Sequence, residues 1–115
     1  MVASEKRISN RVKVTRPVVI LLSSGKKVHA YTSNFATNGM GILAHVPGEV
    51  NATLTFVMAL PVKNVEKKVK VRGRIVHSHL RGDKYESGIE FVNVDDETTK
   101  IFADFVQELK NKRVC

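Results

Sequence analysis

Two arginines, Arg7 and Arg11, stand four positions apart in the segment Arg7-Ile8-Ser9-Asn10-Arg11. About one hairpin later comes Asn34-Phe35-Ala36-Thr37-Asn38-Gly39-Met40-Gly41-Ile42, a polar turn with two glycines opening into an apolar strand. A guanidinium is a planar cationic fork that pairs with a phosphate or a guanine edge through two parallel hydrogen bonds. An asparagine amide supplies both a donor and an acceptor, and a glycine admits close backbone approach or a positive φ. These are the groups needed to hold a small anionic ligand that carries base edges. The chemistry is recognition of a nucleotide, not bond making.

Catalytic patterns are absent from the sequence. Acidic residues cluster only at Asp95-Asp96-Glu97, where helix capping accounts for them, and no glycine-rich loop followed by lysine cradles a phosphate. His77 and His79 share a face at i, i+2, but no cysteine or third histidine completes a metal site. His29 and His45 are isolated, and Tyr31 and Tyr85 read as packing residues. The chain is therefore expected to be no enzyme and to need no metal or cofactor.

The 115 residues are enough for one domain with a single core, and 43% hydrophobic with 26% charged residues is ordinary for a globular protein. No apolar run approaches the roughly 20 residues that span a bilayer, and Met1 to Arg7 lacks the apolar stretch of a secretory signal. A single cysteine, Cys115, excludes an internal disulfide framework and fits a reducing cytoplasm, and Lys112-Arg113-Val114-Cys115 forms no prenylation box. The net charge of +8 attracts anions at long range without choosing among nucleotide, nucleic acid and acidic lipid.

Most of the chain alternates with period two. A first strand is expected from about Val12 to Leu22, with Pro17 marking an edge or a bulge. Ser23-Ser24-Gly25-Lys26 turns it into a second strand through Val28, Ala30 and Thr32, and Asn34 to Gly39 forms another turn. Met40 to His45, Leu54 to Leu60 and Val65 to Ile75 follow as strands, the last with apolar residues inward and Glu66, Lys68, Lys70, Arg72 and Arg74 outward. After a hairpin turn at Arg81-Gly82-Asp83-Lys84, Glu86 and Glu90 are placed to face that cationic row. Beyond Asn93, Ile101, Phe102, Phe105, Val106 and Leu109 recur at helical spacing, with Asp95 as the cap. The predicted fold is mainly β: a small six-stranded antiparallel barrel, closed because closure removes exposed edges, followed by a C-terminal helix. Residues 1–6 form a tail and 7–112 one domain, with strands over about 12–93 and the helix over about 96–110.

This order of features resembles the PilZ domain, a bacterial receptor module for cyclic di-GMP. Arg7-x-x-x-Arg11 is similar to the family's arginine pair, and Asn34-x-Ala36-x-x-Gly39 to its second motif of Asp or Asn, Ser and Gly. Gly88-Ile89-Glu90-Phe91 resembles the late Gly-x-x-Phe strand, and the likeness runs from Lys6 to Leu109. The resemblance implies that Arg7 and Arg11 clamp the ligand, that Asn34 binds a guanine edge, and that Gly39 lies against it. It implies further that the N-terminal arm folds over the ligand and signals to a protein partner in trans, with Lys6 influencing how many nucleotides are held. Ala36 departs from the motif serine, so one hydrogen bond is missing, worth about 0.5–1.5 kcal/mol or a two- to tenfold affinity loss.

Three readings stay open at this level. The first is a cyclic di-GMP receptor using Arg7, Arg11, Asn34 and Gly39. The second is an interaction domain on the same barrel that has lost nucleotide binding, for which Ala36 is the argument. The third is a basic nucleic-acid-binding barrel, with an affinity that falls steeply with salt. Equally, Arg7 and Arg11 fit a solvated basic tail, Asn34 to Gly41 an ordinary Asx turn, and the Lys67 to Arg74 row a solvated sheet face.

Overall fold

The computed structural model describes residues 11–114. Seven strands precede one helix: β1 (Val12–Lys13), β2 (Pro17–Leu21), β3 (Lys27–Ala36), β4 (Gly39–Ala44), β5 (Thr53–Val62), β6 (Val65–Arg81), β7 (Lys84–Val92) and α1 (Asp96–Val114). All pairings are antiparallel. The sheet runs β3-β2-β5-β6-β7-β4 and closes through a β3–β4 pairing, which makes the six-stranded barrel, with β1 added alongside β3. Closure leaves the six barrel strands without free edges.

Strands β2 and β5, and β6 over residues 69–75, bury every second residue, whereas β4 is covered on both faces. Val18 and Ile20 of β2, Phe56, Met58 and Leu60 of β5, and Val69 and Val71 of β6 point inward. Their neighbours Val19, Val57 and Lys70 lie on the outer face. The hairpin joining β5 and β6 turns at Lys63 and Asn64, both at positive φ (53° and 66°). Two successive positive φ values match the right-handed twist of the flanking strands.

The helix closes one end of the barrel. Phe35, fully buried, meets Phe102 and Phe105 edge-on at 5.2 Å, and Phe91 packs on Phe102 at 4.8 Å. Asp95 caps α1: its Oδ1 accepts from the Thr98 amide at 2.8 Å, and the Thr98 hydroxyl together with that amide holds the carboxyl below its usual pKa. Glu108 ties the other side down by accepting from the Lys63 amide at 2.7 Å.

Two expectations need correction. The first strand does not run unbroken from Val12 to Leu22. It divides into β1 and β2 because β3 carries a bulge between Thr32 and Asn34, where the register shifts. Thr32 bridges the break: its hydroxyl donates to the Val14 carbonyl at 2.6 Å and accepts from the Arg16 amide at 2.8 Å. The second polar turn is also shorter than expected. Asn34, Phe35 and Ala36 belong to β3, and only Thr37 and Asn38 make the turn.

Candidate cyclic nucleotide site

The β3 bulge fixes the outward side chains at its end. Asn34 follows the bulge and pairs with Gly41 of β4, while Lys13 of β1 lies opposite it. Arg11, just before β1, reaches across: its Nη1 donates to Asn34 Oδ1 at 2.6 Å. Asn34 Nδ2 donates to Ser33 Oγ at 3.2 Å, and Ser33 Oγ donates to Glu86 Oε2 at 3.3 Å. Glu86 in turn accepts from Arg81 Nη1 at 2.5 Å, with His79 Nε2 at 3.9 Å. A continuous polar chain thus runs from Arg11 on one side to Arg81 on the other.

These groups line an open cleft of about 590 Å³ on the outside of the barrel, which also includes Lys13, Leu43, Asp83 and Lys84. That volume suits a nucleotide-sized ligand. Four cations and two carboxylates surround it, and one carboxylate is already held by Arg81, so the cleft favours an anion. Burial by itself raises the Glu86 carboxyl, but the Arg81 guanidinium, the Ser33 hydroxyl and the charge near His79 outweigh it, and the pKa ends below the usual value.

Glycines shape the wall. A Cβ on Gly41 would stand 2.6 Å from Asn34 Nδ2 and 2.8 Å from Ser33 Oγ. Gly41 therefore makes room for the amide that faces the cleft. Gly39 has another job: a Cβ there would run into the Ile89 carbonyl of β7, and its φ is not positive. It serves β4–β7 packing.

The positions expected to bind divide accordingly. Arg11 and Asn34 are brought together. Ala36 lies two residues beyond Asn34, on the same side of β3 by strand alternation, but it is buried and outside the cleft lining. Lys6 and Arg7 lie outside the described residues. Sequence reasoning missed Ser33, Arg81, Lys84 and Glu86 as members of one cleft. The available signal was the charged Arg81-to-Lys84 turn, read only as a hairpin. The glutamate expectation holds for Glu90, which pairs with Arg74 at 2.6 Å across directly opposed positions, but not for Glu86, which lies opposite His79 and pairs with Arg81 beyond the cationic row. His77 and His79 stack with ring centroids 5.4 Å apart. Among the described residues, no group of three His, Cys, Asp or Glu side chains could hold a metal.

Solved structures with this architecture are similar over most of the chain. A structure of YcgR from Escherichia coli in complex with c-di-GMP superposes with a TM-score of 0.76 at 10% identity, covering 90% of this chain and 45% of that one. The inhibitor of motility MotI/DgrA of Bacillus subtilis gives 0.74 at 10% identity, covering 90% and 49%. A PilZ domain of Escherichia coli YcgR with c-di-GMP gives 0.69 at 9% identity and covers 90% of both chains. The chain spans about half the length of the first two proteins. No curated protein matches it in sequence. At such identities the structures speak for the fold. The sequence speaks for the family: the pattern of the PilZ domain matches residues 5–108, and the chain belongs to the PilZ domain family.

Proposed function

We propose that this chain is a receptor module for cyclic di-GMP, which binds in the cleft between Arg11 and Arg81 and passes the signal to a protein partner. The observation that carries the reading is the 2.6 Å hydrogen bond from Arg11 to Asn34 at the edge of a cation-lined cleft. It holds a guanidinium and an amide side by side before ligand arrives. Pre-ordering reduces the entropy lost on binding. Arg11 keeps further N–H donors for a phosphate or for O6 and N7 of a guanine, and Asn34 offers its amide to the base edge. Lys13, Lys84 and Arg81 supply charge for the two phosphodiesters.

Arg7 joins as the second fork of the arginine pair, and Lys6 beside it contributes charge. Ordering of this arm over the ligand is the switch that a partner senses. Membership of a family that includes c-di-GMP complexes supports the ligand. Action on a partner, with no chemistry of its own, and a place in the cytoplasm complete the proposal. Among the described residues no helix is long and apolar enough to cross a membrane.

The test is isothermal titration of the protein with cyclic di-GMP, with GTP and the Arg7→Ala/Arg11→Ala variant as controls. Saturable binding at micromolar or tighter concentration, absent with GTP and lost in the variant, is expected. No heat and no shift in melting temperature would overturn the receptor reading and leave the barrel as an interaction domain that does not bind nucleotide.

A further inference from the structure

The ring order of the barrel sets β2 and β5 opposite β4 and β7, which contribute Leu43, Lys84 and Glu86 to the cleft. The outer face there is laid out in three rows by the register. Tyr31, Pro17, Ala59 and Lys68 form one row, His29, Val19, Val57 and Lys70 the next, and Lys27, Leu21, Thr55 and Arg72 the third. Each row has two small or apolar side chains at its centre and polar or cationic groups at its edges. Val19, Leu21, Val57 and Ala59 are half-buried, whereas Lys27, Lys68, Lys70 and Arg72 are exposed. The result is an apolar trough with a cationic wall on β6 and a mixed wall of Tyr31, His29 and Lys27 on β3, including a depression of about 240 Å³ along Pro17, Val19, Val57 and Ala59.

The charges along this trough are unbalanced. Among the described residues, none of Lys27, Lys68, Lys70 and Arg72 has a carboxylate within ion-pair distance. Pairing is found only at the two ends, Arg16 with Glu66 at 3.4 Å and Arg74 with Glu90 at 2.6 Å. No acidic residue occupies the twelve positions of the three rows.

We infer that this face docks an amphipathic helix of a protein partner whose apolar ridge is flanked by aspartates and glutamates. The dimensions agree. Three strand spacings of about 4.8 Å put the two edges roughly 14 Å apart, and a helix with its side chains is about 10–12 Å across. The rows extend over about 13 Å, which accommodates two to three helical turns. A ridge of leucines would sit on Val19 and Val57 while its acidic flanks meet Lys68, Lys70 and Arg72. A lipid surface is a poorer fit, because it requires apolar groups that stand proud of the cations, and here Val19, Leu21, Val57 and Ala59 are half-buried beside exposed cations. A nucleic acid would use the cations and ignore the trough. Docking on this face leaves the cleft open, and the inference does not rest on nucleotide binding.

The test uses a labelled amphipathic peptide of about 18 residues, with leucines on one face and glutamates beside them, in fluorescence anisotropy without cyclic di-GMP. A peptide of the same composition, shuffled so that the leucines share no face, is the control. Duplex DNA and phosphatidylglycerol vesicles are titrated in parallel. Saturable binding is expected, weakened at least about tenfold for the shuffled peptide, for Lys70→Glu/Arg72→Glu and for Val57→Lys. Val57→Lys separates the possibilities, because it adds a cation and so strengthens any purely electrostatic partner while it spoils the trough. Thermal melts confirm that both variants fold. Equal binding of the two peptides, or peptide binding that Val57→Lys improves together with DNA or vesicle binding, would overturn the docking groove. Absence of peptide binding would do the same.

Discussion

Arg11 and Asn34, 23 positions apart in the chain, are joined by a hydrogen bond of 2.6 Å between Nη1 and Oδ1. The bond crosses from the entry of β1 to the bulged end of β3, so the arginine is positioned by the strand that holds the asparagine. Arg11→Ala should cost the charge-assisted contacts to ligand, about 1.5–3 kcal/mol each, which is a loss of roughly tenfold to more than a hundredfold in affinity for cyclic di-GMP. Arg11→Lys keeps the charge and loses the fork, and should recover only part of that. Because the two side chains act together, the Arg11→Ala and Asn34→Ala losses should fall short of adding in the double variant. Titration calorimetry on the four proteins reads the coupling, and strict additivity would count against a shared site.

Gly41 and Gly39 are two residues apart on one strand and predict opposite outcomes. Ala at 41 would press on the ends of the Asn34 and Ser33 side chains at 2.6 and 2.8 Å, groups that can swing aside. Gly41→Ala should therefore keep its melting temperature and lose nucleotide affinity. Ala at 39 meets the backbone carbonyl of Ile89, which cannot turn away without opening the β4–β7 ladder. Gly39→Ala should lose about 1–3 kcal/mol of stability in urea. A melting temperature that falls equally in both would show that Gly41 too is there only for packing.

How far the sequence could be read follows from what each part of the fold depends on. The barrel strands were legible because the inward series of β5 and β6 is strictly alternating, and α1 because Asp95 and the phenylalanines supply both a cap and a face. The break between β1 and β2 was not, since it depends on the Thr32 hydroxyl serving Val14 and Arg16, a pairing across 18 and 16 positions that no local pattern announces. In the cleft, Arg11 and Asn34 stood out by type and spacing. Glu86 and Arg81 did not, because their ion pair reaches Ser33 only through the β3–β4 and β4–β7 registers. Gly39 fitted a ligand-contact motif, and the Ile89 carbonyl of β7 gives a separate reason for glycine there.

The Ala36 position gives a gain-of-function test. It lies on the Asn34 side of β3, where the family motif carries serine, and it is buried. Ala36→Ser adds a single oxygen. A hydroxyl that reaches the ligand should raise affinity about two- to tenfold, the value of one neutral hydrogen bond. If the hydroxyl finds no partner, the variant should instead lose about 1–3 kcal/mol of stability from burying it, with affinity unchanged. Calorimetry and urea unfolding on one preparation distinguish the two, and the first result is the one expected of a receptor.

Loss of the Glu86 charge at low pH should weaken its end of the cleft, because it removes the ion pair with Arg81. Its carboxyl is held below the usual range because Arg81 and Ser33 outweigh the opposing effect of burial. A group with a depressed folded pKa contributes stability that is fully present above its unfolded value, about 4.3, and is lost as pH falls through the lower folded value. The Arg81 side chain is 68% exposed, so solvent screens the pair and its worth is about 1 kcal/mol or less. Glu86→Gln should accordingly be slightly less stable than the parent at neutral pH, with the gap closing as pH drops below about 4. Urea midpoints of the two proteins across that range measure it. A gap that stays constant with pH would mean that the Arg81 contact contributes through packing of the side chain and not through its charge.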